Sequence, residues 1–82
     1  MYLRDNFHMR EPTVRKRLGA KIRELRKNMG ISQEELGFRA GIHPNYVGSV
    51  ERGERNIAVE NTHRIAKALK VTVEELMANA KL

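Results

Sequence analysis

Between residues 32 and 53 the chain has almost no room for a loop. Ser32, followed three residues later by Glu35, has the spacing of a capping box that opens a helix. Leu36 and Ala40 fall on one side of that helix, and Gly41 is placed to end it. Pro44 then suits the first turn of another helix, which Gly53 closes. Two short helices joined by about three residues, one of them glycine, make a helix-turn-helix. Whatever else the chain does, it must fold around that rigid pair.

The flanking segments supply more helices. Val14, Leu18, Ile22, Leu25 and Met29 recur in steps of four and three, which is one apolar stripe. Arg15, Lys16, Lys21, Arg23 and Lys27 line the outer face, and Gly30 is the expected C-terminal cap. After a loop from Glu54 to Ala58, Val59–Leu69 reads as a fourth helix with Ile65, Ala68 and Leu69 inward. Thr72 and Glu75 form a second capping box before Val73, Leu76 and Met77. No strand signal and no internal repeat appears. The expectation is an all-α, compact bundle of about five helices over residues 13–80, with Met1–Pro12 as a flexible N-terminal arm.

A core of this size supplies only a few kcal/mol, so association with a second copy is the expected supplement. The 82 residues include no cysteine, which excludes disulfides and thiolate metal sites. The apolar runs are too short to span a bilayer, and the N-terminus lacks the apolar region of a signal peptide. A cytoplasmic location is expected. Sixteen Lys and Arg against ten Asp and Glu give a net charge of +6. That balance favours a polyanionic partner, nucleic acid above all, over charge kept for solubility alone.

The segment HPNYVGSVERGERN, His43 to Asn56, raises a question. A glycine inside a helix costs about 1 kcal/mol relative to alanine, yet Gly48 lies in the middle of the third helix. At about 100° per residue, Val47 and Val50 mark its buried side. Tyr46 and Glu51 fall at the margins. Pro44, Asn45, Gly48, Ser49 and Arg52 gather on the opposite side. That is the side a helix-turn-helix presents to a major groove, where small residues allow close approach. Asn45 can pair with adenine, Ser49 with either base type, and the Pro44 ring can pack on a thymine methyl. Arginines and the loop after Gly53 suit phosphate oxygens.

The run ISQEELGFRAGIHPNYVGSVERGERN resembles the helix-turn-helix of the lambda-repressor and Cro (XRE) family. Gln33 opening the second helix, Gly41 in the turn and the V-x-x-V-E-R-G close of the third carry the resemblance, which extends over about Leu18 to Met77. Within that family, NYVGSVERGERN is similar to controller proteins of restriction–modification systems. The resemblance implies a bundle of about five helices that binds operator DNA as a two-fold dimer. It implies base contacts from His43, Pro44, Asn45, Gly48 and Ser49. Phosphate contacts are implied for Gln33, Arg39, Tyr46, Arg52, Arg55 and Asn56, with Tyr46 equally readable as a half-buried packing ring. His43 stands where Ser, Thr or Asp is usual, and is read as a poor cap that donates to phosphate instead. Arg26 and Glu51 are implied to form a structural salt bridge. The C-terminal region, with Ile57, Val59, Val73 and Met77, is the implied dimer interface.

Catalysis finds little support. The sole aspartate is Asp5, and His8, His43 and His63 share no ligand spacing. No cofactor, metal or small-molecule ligand is expected, and no enzymatic activity. Two alternatives stay open: an antitoxin that binds a toxin as well as its operator, and a protein-binding helix-turn-helix adaptor.

Overall fold

The computed structural model describes residues 12–81, with the side chain of Pro12 not among them. Among the described residues five helices follow one another: α1 (Pro12–Asn28), α2 (Gln33–Ala40), α3 (Pro44–Glu51), α4 (Val59–Ala68) and α5 (Val73–Asn79). No strand occurs among the described residues. Pro12, expected to end the arm, instead opens α1. Proline is tolerated there because the first N–H of a helix has no intrahelical partner. Expectations about residues 1–11 lie outside the described residues. None of these helices is long and apolar enough to cross a membrane.

The apolar stripes meet as their spacing requires. Leu18 and Ile22 of α1, Leu36 of α2, Val47 and Val50 of α3, Ile65 and Leu69 around α4, and Leu76 of α5 form one buried cluster. Ile22, Leu36, Val47, Ile65 and Leu76 have no exposed surface. Each such side chain stabilises the fold by about 1.5–3 kcal/mol relative to exposure. Helix α2 packs on α3 and α4, while α1 packs on α3 and α5. The helix-turn-helix therefore sits between the long first helix and the C-terminal pair.

Helix ends follow the sequence closely. The Thr72–Glu75 box is complete, with Thr72 Oγ1 accepting from Glu75 N–H and Glu75 Oε1 accepting from Thr72 N–H. Only Ser32's half of the other box forms, Oγ accepting from Glu35 N–H at 3.0 Å. The Glu35 carboxylate turns instead to Arg39 Nε, 2.8 Å away. Between α2 and α3 the chain reverses at Gly41, whose φ of 72° is left-handed. The Ile42 N–H then returns to Gly37 O at 2.9 Å, satisfying an end carbonyl of α2.

A close approach fixes α1 on α3. A Cβ on Gly19 would lie 2.2 Å from Val50 O and 2.7 Å from Glu51 O. Only a residue without a side chain lets the helices come so near. The apolar spacing of α1 gives no hint of this, because Gly19 lies beside the stripe.

Candidate DNA interface

A buried charge network underlies the exposed face of α3. Arg26 Nε donates to Glu51 Oε2 at 2.7 Å and Nη2 donates to Oε1 at 3.0 Å. Arg26 Nη1 donates to Ile31 O at 2.9 Å, just before α2. Gln33 Nε2 completes the set by donating to Glu51 Oε1 at 3.0 Å. The hydrogen bond to Glu51 is the main cause that raises the Arg26 pKa above its ordinary value, burial acting against it. The expected Arg26–Glu51 bridge is therefore present, with a fork-on-carboxylate geometry. It also extends to Gln33, which joins the expected phosphate contact to the interior.

Helix α3 turns its valines inward, Val47 at 0% and Val50 at 2% exposure. Asn45 is exposed and Pro44 half-buried. The Asn45 carboxamide bonds to nothing among the described residues, so both its donor and its acceptor are open. His43 departs from expectation. Its Nδ1 accepts the Asn45 N–H at 3.0 Å, so it is the side-chain cap of α3. An accepting Nδ1 leaves Nε2 as the N–H end of the neutral ring.

The glycine question has a steric answer. A Cβ on Gly48 would lie 3.2 Å from Arg52 Nη1 and 3.4 Å from Gln33 Oε1. Gly48, expected on the open face, is buried, and its missing side chain is the space into which those two polar ends converge. Ser49 is a correction to the sequence reading. It is 8% exposed, so it does not share the open face with Asn45. Its hydroxyl donates to Tyr46 O at 2.9 Å and accepts from Arg55 Nε at 2.9 Å. The Glu54 N–H returns to Ser49 O at 3.0 Å, so the loop after α3 folds back over this residue. A helical wheel does not register such a loop.

The expected phosphate ligands are held in different ways. Arg52 donates through Nε and Nη2 to Glu54 at 2.9 and 3.1 Å. That bonding raises the Arg52 pKa and holds the Glu54 carboxyl below its usual range. Arg39 is paired with Glu35. Arg55 stands apart: its guanidinium carbon lies 5.1 Å from the Tyr46 ring centroid, a cation–π distance. Asn56 Oδ1 accepts from Arg15 Nη1 at 3.3 Å, and Arg15 Nε donates to Gly53 O at 3.2 Å. Arg15, expected only as a charge on the outer face of α1, is thus held against the loop after α3. Nothing in the sequence links it to a loop some 40 residues away.

Of the expected dimer residues, Ile57, Val73 and Met77 are half-buried against the core of their own chain. Val59 is 74% exposed. Phe38 on α2 is 82% exposed, and the sequence reading gave it no role.

A helix-turn-helix family model (HTH_3) matches residues 22–76. The control protein C.BamHI of Bacillus amyloliquefaciens is 37% identical over 65 residues, which is 78% of this chain and 80% of that one. The control protein C.SmaI of Serratia marcescens is 36% identical over 69 residues, covering 84% and 82%. Among solved structures, the restriction–modification controller protein C.AhdI of Aeromonas hydrophila superposes with a TM-score of 0.74. It shares 44% identity, over 76% of this chain and 94% of that chain. The chain belongs to the helix-turn-helix (HTH_3) family of DNA-binding transcriptional regulators, which is not a class of enzymes.

Proposed function

We propose that this regulator is a controller protein that binds a pseudo-palindromic operator as a homodimer and governs its own operon. One observation carries the DNA reading. The face of α3 opposite the buried valines carries the half-buried Pro44 and the exposed Asn45, whose carboxamide has no partner among the described residues, while arginines follow at its C-terminal end. Asn45 and Pro44 take the base edges, with Gly48 leaving room for Arg52 and Gln33 beside them. His43 Nε2, Gln33, Arg39, Tyr46, Arg52, Arg55 and Asn56 serve the phosphates. Ile57, Val59, Val73 and Met77 form the two-fold interface, in which the exposed Val59 is covered.

The similarity to C.BamHI, C.SmaI and C.AhdI supports the controller role. Hydroxyl-radical footprinting of the DNA upstream of the gene tests it. Two protected half-sites, one helical turn or about 34 Å apart, are the expected result. A single unpaired footprint contradicts the dimer, and no footprint contradicts self-regulation. A second reading, binding to a protein partner as an antitoxin or adaptor, is favoured by one observation, the 82% exposure of Phe38. Its test is whether Phe38→Ser leaves the footprint unchanged.

A further inference from the structure

The arginines around α3 differ in what anchors them. Arg52 and Arg39 each lie on a carboxylate, Glu54 and Glu35. Either anion must be displaced before its arginine can present full charge to a phosphate. Among the described residues Arg55 is anchored by neutral groups alone, the Ser49 hydroxyl and the Tyr46 ring. Its Nη1 and Nη2 hydrogens bond to nothing among the described residues. The fork of the guanidinium that fits a phosphate bidentately is therefore open and fully charged.

The Ser49 hydroxyl has one hydrogen, and it is committed to Tyr46 O. That bond aims its lone pairs at Arg55 Nε, 2.9 Å away. The same residue, Tyr46, supplies the carbonyl that fixes the serine and the ring that faces the arginine. Ser49 is buried and so cannot reach a base itself.

We propose that Ser49 is a positioning residue for DNA binding: its hydroxyl locks the Arg55 guanidinium against Tyr46 with the Nη edge open to a phosphate. The proposal rests on the reading of the chain as a DNA-binding regulator. A long arginine side chain loses much rotamer freedom when it grips a phosphate, and a lock set beforehand removes that loss from the binding step.

The test is a double-mutant cycle on the full chain, read by fluorescence anisotropy with a random-sequence duplex across a salt series. Ser49→Ala should weaken binding roughly 2- to 10-fold. It should leave the salt slope unchanged, since no charge is removed. Arg55→Ala should weaken binding and reduce the slope by about one. In the Arg55→Ala background, Ser49→Ala should have no further effect. An equal loss in both backgrounds would mean that Ser49 merely supports the helix, and would overturn the proposal. So would an undiminished affinity of Ser49→Ala. A second readout needs no DNA: the Arg55 Nε–H proton should exchange more slowly with water in the wild type than in Ser49→Ala. Equal exchange rates would also overturn the lock. Wild-type protein that binds no duplex at low salt would overturn the DNA reading itself, while the exchange measurement would still report the lock.

Discussion

Arg26 on α1 and Glu51 at the end of α3 are 25 residues apart and meet in a two-point bridge, 2.7 and 3.0 Å long. The Glu51 side chain is only 2% exposed and that of Arg26 10%. The bridge ties α1 to α3, and through Gln33 it reaches the start of α2. Three helices of the DNA-binding unit are thus oriented by one buried carboxylate.

Removing one partner leaves the other charge buried and unpaired. Arg26→Ala or Glu51→Ala should each destabilise the fold by roughly 3–5 kcal/mol. The double change Arg26→Met with Glu51→Leu should cost less than either single one, because no orphan charge remains. Urea denaturation of the four proteins checks the order.

Two glycines should respond in opposite ways to alanine. At Gly19 the added Cβ meets the Val50 and Glu51 carbonyls, which belong to the backbone and cannot step aside. Gly19→Ala should destabilise by at least about 1–3 kcal/mol. At Gly48 the neighbours are the ends of Arg52 and Gln33, which can move. Gly48→Ala should hold or raise stability, by up to about 1 kcal/mol of helix propensity, while weakening DNA binding. Thermal melts paired with duplex titrations separate the two effects.

With Arg52 as a phosphate ligand, as proposed, its exposed partner Glu54 competes with phosphate for it. Glu54→Gln should tighten binding to all duplexes alike and steepen the salt dependence by about one phosphate. Acidification should mimic it. Because Arg52 holds the Glu54 carboxyl below its usual range, the gain should appear only as pH falls through that lowered value, with none near neutrality. Salt titrations of the variant at neutral pH check the first expectation.

Asn45 is the exposed carboxamide on the open face of α3. Asn45→Ala should cost about 1–3 kcal/mol at the cognate operator and relax discrimination at one base pair. Stability should stay within about 0.5 kcal/mol, since the side chain is solvent-exposed. Competition with duplexes substituted at single positions identifies that base pair.

The fold was legible because its signals are local. Stripes such as Leu18–Ile22, the Thr72–Glu75 box and the glycine at 41 act within a few residues, and each formed as the spacing requires. The Arg26–Glu51 bridge is non-local, and it came from family resemblance; periodicity put both residues only at the margins of their stripes. What stayed hidden depends on the loop after α3. That loop folds back on Ser49 and engages Arg15, and neither event leaves a trace in helical spacing. The cap at His43 is not legible either, because histidine is an uncommon cap, although its Nδ1 reaches the Asn45 N–H at an ordinary hydrogen-bond distance.

In the proposed complex α3 reads sequence while the arginines around it hold the phosphates. Fluorescence anisotropy with the gene's own upstream DNA and a scrambled duplex, across a salt series, tests it most directly. Tighter binding to the upstream DNA by a factor of about 10³ or more is expected, with both complexes weakening as salt rises. Equal, weak and strongly salt-dependent binding to both duplexes would contradict it, leaving a basic surface with no sequence readout.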